Sequence, residues 1–273
     1  MTTRQRAKRS LGQNFLVDPV FIKRIVDAAG VMSGETVVEI GPGRGALTGH
    51  LRGKADRFVA IEKDDALAAE HTERFADDAD AAVVHGDALK VMPDDLPFPG
   101  PYRVVANLPY NMAARITLHL LEDWGTELAS FTLMFQAEVA DRIVARPGSK
   151  AYGSLSVQIA NFCEGWRLFS VPGRAFRPVP KVLSAVVRLR RRGSTLCEDG
   201  GVDYAWLRTV VRGGFQSRRK TLLNSLKLAE ALPSDPAVLA QAIEVAGIAE
   251  GVRADSVTPE QFVALAAALH PAD

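Results

Sequence analysis

Over the first two thirds of the chain, apolar β-branched runs alternate with amphipathic stretches, the pattern of an α/β domain built on a largely parallel sheet. The runs Thr36–Ile40, Arg57–Ile61, Ala81–Val84, Tyr102–Ala106 and Phe131–Phe135 read as buried strands. Helical patterns begin at Ala46, Asp64, Met112 and Gln136. An earlier helix opens at Asp18-Pro19, an N-cap followed by proline at the first helical position, and closes at Gly30. Trp166–Val171 and Val182–Leu189 add two strand-like runs on either side of a proline-rich loop, 171–181, for about seven strands in all.

After Arg190-Arg191-Arg192 the pattern changes. Residues 193–201, rich in glycine, serine and charge, read as a linker. Asp203–Phe215, Ser217–Leu228, Asp235–Ala246 and Thr258–Leu269 then read as capped helices with no strand between them. The expected organisation is an α/β domain over residues 1–192 with a basic N-terminal arm, a linker over 193–201, and a small all-helical domain over 202–273. Internal repeats are absent from the sequence.

Composition narrows the class. The chain has 273 residues, 47% of them hydrophobic and 24% charged, which suits a packed globular protein rather than a disordered one. Its longest apolar stretches, such as Phe262–Leu269, fall short of the ~20 residues that a bilayer requires, so no membrane association is expected. Arg4, Arg6, Lys8 and Arg9 precede no apolar core of a signal peptide, and the expectation is a cytoplasmic protein, with a mitochondrial presequence as the alternative. Cys163 and Cys197 form no C-x-x-C, and His50, His71, His85, His119 and His270 lack ligand spacing, so no metal is expected.

Net charge is +1, but its distribution is uneven. Acids crowd Glu62–Asp95, whereas Arg4–Arg9, Arg174–Arg192 and Arg208–Lys227 are basic. A charge run is usually a solvated face; on predicted helices, Arg208, Arg212, Arg218, Arg219 and Lys220 also suit phosphate contacts that position RNA without reading its sequence.

The candidate chemistry starts at Glu39-Ile40-Gly41-Pro42-Gly43-Arg44-Gly45, which follows a strand and precedes a helix, with Glu62 at the end of the next strand. Such a turn lets backbone approach a nucleoside, and the second acid can accept both ribose hydroxyls. Read literally, the run also fits a nicotinamide dehydrogenase. Glu39, however, would repel a pyrophosphate while tolerating a sulfonium and an amino group. Asp87, after the third strand of the sheet, suits an adenine amine. S-adenosylmethionine therefore fits better than NAD.

Leu11-Gly12-Gln13-Asn14-Phe15-Leu16, the glycine turn, Gly86-Asp87-Ala88, Asn107-Leu108-Pro109-Tyr110, Gln136–Arg142 and Ala175–Val182 together resemble the ribosomal RNA adenine dimethyltransferases across almost the whole chain. Lys150-Ala151-Tyr152-Gly153 and Gln216–Leu222 resemble the bacterial small-subunit branch of that family, to which kasugamycin sensitivity belongs. Ala137, where the family usually has Lys or Arg, and Ala114-Arg115, in place of Thr-Pro, depart from its pattern. The resemblance implies a class I, Rossmann-like, S-adenosylmethionine-dependent methyltransferase fold followed by a helical RNA-binding domain.

It also implies dimethylation of two adjacent adenosines in a hairpin loop near the 3′ end of small-subunit (16S) ribosomal RNA. The implied partners are that RNA and a partly assembled small subunit, met by a monomer. Asn107, Leu108, Pro109 and Tyr110 carry the chemistry. The Asn107 side-chain oxygen and the Leu108 carbonyl would hold the two hydrogens of the target amine, Pro109 would fix that backbone, and Tyr110 would stack on the flipped base. By resemblance, Phe176 covers the base's other face, although a phenylalanine between prolines is also a common core plug. Asn14 and Leu16 are implied contacts of the cofactor beside Glu39, Gly41, Gly43, Glu62, Asp87, Ala88 and Asn107. The rival readings are a large-subunit adenine methyltransferase that confers macrolide resistance and a non-catalytic assembly or transcription factor of the same fold.

Overall fold

The structure is a computed structural model that describes residues 14–270. The Arg4–Arg9 arm and Leu11–Gln13 lie outside the described residues. The described residues divide into two compact units, one of 14–140 and 166–191 and the other of 141–165 and 192–270.

The first unit begins with β1 (Phe15–Leu16) and α1 (Pro19–Ala29). The Asp18 carboxylate accepts a hydrogen bond from the Val20 N–H, Pro19 starts the first turn, and Gly30 ends the helix in the left-handed conformation. Ile25, Val26 and Ala29 form its buried stripe. There follow β2 (Thr36–Ile40), α2 (Thr48–Arg52), β3 (Arg57–Glu62), α3 (Asp65–Arg74), β4 (Ala81–His85), β5 (Tyr102–Asn107), α4 (Ala113–Asp123), β6 (Leu128–Gln136) and α5 (Ala137–Ile143). After α6 (Ser154–Phe162) of the second unit, β7 (Cys163–Val171), β8 (Phe176–Arg177) and β9 (Ser184–Arg191) complete it.

Seven strands form one sheet in the order β4-β3-β2-β5-β6-β9-β7. The pairings from β4 through β6 are parallel, and β9 runs antiparallel to β6. Strand order reverses between β2 and β5, so the carboxyl ends of these strands open a crevice there. Because β2 and β5 are covered on both faces, their central residues, Val37-Val38 and Val104-Val105-Ala106, are continuously apolar, and every residue of β2 is buried. A separate two-stranded ribbon, β1 with β8, pairs Leu16 with Phe176 and Phe15 with Arg177; two-residue strands lack the periodicity by which a strand is recognised in sequence.

Inside the sheet layer, Arg103 is 4% exposed. Its Nε donates to Glu35 Oε2 at 2.7 Å, its Nη2 to Glu35 Oε1, and its Nη1 to Ala29 O and Ser130 Oγ at 2.9 and 2.7 Å. The guanidinium holds the Glu35 carboxyl below its ordinary range. Each partner is tolerated in the interior because the other compensates its charge.

The second unit is helical: α6 with α7 (Leu196–Gly200), α8 (Tyr204–Gly214), α9 (Leu222–Leu226), α10 (Pro236–Val245) and α11 (Pro259–Ala268). Two expectations change here. Residues 193–201 are not merely a linker, because Thr195 and Glu198 form a capping box and Cys197 is buried in the unit's core, both of which favour a helical turn. The helix expected over Ser217–Leu228 is shortened to α9, since Thr221 caps it and the preceding 217–220 form a turn. The unit also draws in 141–165: Tyr152 and Val157 pack in its core, and the Tyr152 hydroxyl donates to Val257 O at 2.8 Å. Among the described residues, no helix is long and apolar enough to cross a membrane.

Candidate active site

The crevice is built from strand ends. Gly41, Gly43 and Gly45, after β2, have φ of 64°, 56° and 77°. Side chains rarely adopt that region, and the space at Gly43 is filled as well: a Cβ there would stand 3.3 Å from the Phe15 ring. Arg44 lies over the same ring, its guanidinium carbon 4.4 Å from the Phe15 ring centroid. The turn is fixed from outside itself, since Gly41 N–H donates to Ile61 O at 2.9 Å and His71, 1% exposed on α3, places Nε2 2.9 Å from Gly43 O.

Glu62, at the end of β3, is 6% exposed. One carboxylate oxygen accepts the N–H groups of Lys63 and Asp64 at 2.8 and 2.9 Å, and the other accepts Gly43 N–H at 3.1 Å. A carboxylate has about four acceptor positions, so the acid expected to take ribose hydroxyls also braces the turn it faces. Gly86 N–H donates to Glu62 O at 2.9 Å, which ties the end of β4, with Asp87 and the buried Ala88, to the same edge. Asp87 accepts Lys63 Nζ at 2.8 Å and Leu89 N–H at 3.1 Å; the Lys63 ammonium, followed by that amide, holds its carboxyl below the ordinary range. The group assigned to an adenine amine therefore carries an ion pair as well.

Glu39 is different. It is 2% exposed, and its Oε2 has no hydrogen-bond partner. Burial, offset in part by the Thr48 hydroxyl and the Arg74 charge and reinforced by repulsion from Glu62, pushes its carboxyl up to about 8. An orphaned buried acid beside a glycine turn suits a ligand that brings positive charge and N–H donors. It does not suit a pyrophosphate, and this arrangement counts against the dehydrogenase reading.

At the end of β5, Asn107 Nδ2 donates to Asn14 O at 3.2 Å. With its nitrogen so used, the amide presents its oxygen as an acceptor. Leu108 is 2% exposed and anchors the segment, while Pro109 O accepts Met112 N–H at 2.9 Å and turns the chain into α4. Tyr110 is half-buried, its hydroxyl 2.5 Å from Ser184 Oγ. Thus Asn14, Leu16, Glu39, Gly41, Gly43, Glu62, Asn107 and Tyr110 come from four separate stretches of sequence to one edge of the unit.

Phe176 is 0% exposed and belongs to the core with Leu16, Val171, Ala175 and Val186, where it packs the β1–β8 ribbon onto the sheet. Apolar neighbours on all sides make that burial worth about 2–3 kcal/mol.

In the helical unit, Arg208 and Arg212 lie one turn apart on the exposed side of α8, Arg208 5.9 Å from the Tyr204 ring centroid. Arg218, Arg219 and Lys220 are exposed on the turn before α9. Arg218 Nη2 also donates to the carbonyls of Lys150 and Tyr152 at 3.0 and 3.1 Å, so this arginine braces a loop of its own unit. Phe15, His71 and Ser184 were not singled out from sequence. Phe15 sits inside a recognised motif, but the histidine and serine act through contacts distant in sequence that have no local signal.

Residues 4–270 match the family model described as ribosomal RNA adenine dimethylase. Curated relatives named ribosomal RNA small subunit methyltransferase A are similar over most of the chain. That of Shouchella clausii is 39% identical over 96% of this chain and 90% of its own length, and that of Xanthomonas campestris is 42% identical over 95% of each. Among solved structures, the 23S rRNA methyltransferase ErmE is 29% identical with a TM-score of 0.70, covering 94% of this chain and 99% of its own. A dimethyladenosine transferase from Plasmodium falciparum, 24% identical with a TM-score of 0.76 over 92% of this chain and 95% of its own, shares the fold.

Proposed function

The chain belongs to the ribosomal RNA adenine dimethylase family and is an adenine dimethyltransferase of small-subunit ribosomal RNA; we propose that it performs this reaction in the crevice between β2 and β5, on two adjacent adenosines of a hairpin loop in the 16S RNA. The single observation that carries the assignment of the site is Asn107, whose amide nitrogen is committed to Asn14 O and whose oxygen is thereby an acceptor beside the glycine turn.

S-adenosylmethionine, the methyl donor that this reading requires, would supply an electrophilic methyl on a sulfonium. Glu39 fits its positive end, the glycine turn and Glu62 fit the ribose, and Asp87 with Ala88 fits the adenine. An exocyclic adenine amine is a poor nucleophile because its lone pair is delocalised into the ring. Acceptance of its two hydrogens by Asn107 Oδ1 and the Leu108 carbonyl favours a pyramidal nitrogen with the lone pair directed at the methyl carbon. Tyr110 stacks on the unstacked base and holds it in line. The monomethylated product retains one hydrogen and can react again. No side chain need act as a general base, because the proton leaves from a nitrogen made acidic by alkylation.

The exposed cations of α8 and the turn before α9 would hold RNA phosphates. A monomer acting in the cytoplasm on a partly assembled small subunit is the setting that this substrate implies. The test is incubation with S-adenosylmethionine and unmethylated small subunits, with large subunits and bare RNA in parallel, followed by digestion and mass spectrometry. Dimethyladenosine from small subunits is the expected result. Product from large subunits alone would assign the chain the other ribosomal target, and no product with cofactor bound would leave a non-catalytic role.

A further inference from the structure

We infer that Ser184 is a positioning residue of the methyl transfer: its hydroxyl fixes the plane of the Tyr110 ring against which the target adenine lies. The inference rests on the site assignment above and deepens it. Ser184 is 0% exposed and opens β9, its backbone paired with Gln136 of β6. Because β9 runs against β6, its first residue lies at the edge where β5 and β6 end; Asn107 is paired there with Met134. Leu183 O accepts Ala137 N–H at 2.8 Å, which pins the chain just before the serine. Tyr110 leaves β5 on the turn closed by Pro109 O and Met112 N–H, and its hydroxyl meets Ser184 Oγ at 2.5 Å.

The ring is consequently held at both ends, at Cα by the turn and at Oη by the strand beyond β6. A tyrosine side chain pivots about two torsions, and a stacking surface free to pivot lets the base tilt, taking its amine out of line with the methyl carbon. A hydroxyl clamp removes that freedom before the base arrives, which is the preorganisation that an in-line transfer needs. Nothing in the methyl transfer itself calls on the serine, so its effect passes through Tyr110.

The experiment compares wild type with Ser184→Ala, Tyr110→Phe, the double variant and Asn107→Ala. It measures kcat and KM on unmethylated small subunits, cofactor Kd and Tm. Removal of either hydroxyl should lower kcat about tenfold, as loss of one hydrogen bond of ~1.4 kcal/mol would, with cofactor Kd unchanged. The double variant should lose no more than either single one, because both break the same bond. It also removes both unsatisfied hydroxyls, so Tm should recover in the double variant while kcat stays low. A purely structural serine would give the opposite, kcat recovering with Tm, and that result overturns the proposal. So does a wild-type kcat in Ser184→Ala or a double variant whose loss is the product of the two. If Asn107→Ala keeps the wild-type rate, the assignment of the site fails, and the proposal with it.

Discussion

Glu39→Gln isolates what burial of an acid costs this protein. Glu39 is 2% exposed with one oxygen unpartnered, and its carboxyl is pushed up to about 8, first by burial and then by the charge of Glu62. The ordinary value, which the unfolded chain retains, is 4.5. A raised folded value means that the native state holds the proton more tightly. The contribution to stability is therefore fully present below about pH 4.5 and is lost as pH rises through about 8. Each pH unit in that window removes about 1.4 kcal/mol, and the whole of it about 3–5 kcal/mol. Glutamine keeps the shape and cannot titrate. Urea unfolding of both proteins at pH 5, 7 and 9 should give a difference in stability that moves toward the glutamine variant by several kcal/mol between the first and the last. Because every other titrating group is common to both, the difference reports Glu39 alone. A difference that stays constant across that range would refute the argument that burial outweighs the Thr48 hydroxyl and the Arg74 charge at this carboxyl.

Asn107→Ala should cut the rate at least a hundredfold, about 3 kcal/mol of transition-state stabilisation, with cofactor affinity little changed by calorimetry. Gly43→Ala should destabilise by about 1–2 kcal/mol and weaken cofactor binding, because φ of 56° disfavours a side chain and the new Cβ would press on Phe15; thermal unfolding with and without cofactor measures both. Glu35→Gln leaves Arg103 buried beside a neutral partner and should cost about 3 kcal/mol in urea unfolding near neutral pH. Since Arg103 lowers the Glu35 value, that difference should shrink as pH falls through the acid range of Glu35. Replacing Arg219 and Lys220 with alanine should reduce the slope of log K against log salt for RNA binding by about one per lost phosphate contact, with the cofactor Kd unmoved.

The alternation of runs along the chain determined much of the fold, because a strand covered on both faces must be continuously apolar. Thr36–Ile40 forms β2 with the expected bounds for that reason, and Asp18-Pro19 and Gly30 delimit α1 through caps that act within a turn of the helix. The places of Asn107, Glu62 and the glycine turn at strand ends were likewise legible, since a strand followed by a turn has a local signature. Tertiary structure decided what local pattern does not encode. The β1–β8 ribbon joins residues more than 150 positions apart and makes Phe176 a core plug. Within segment 193–201, Leu196–Gly200 forms a helix whose Cys197 fills the unit's core, and 141–165 belongs to the helical unit through Tyr152 and Val157. Ser184 reached Tyr110 only because β9 runs antiparallel to β6, which carries its first residue to the edge where β5 and β6 end. Sequence determines which side chains must be buried and which turns are possible. Which distant side chain meets an orphaned polar group depends on the packing that brings them together.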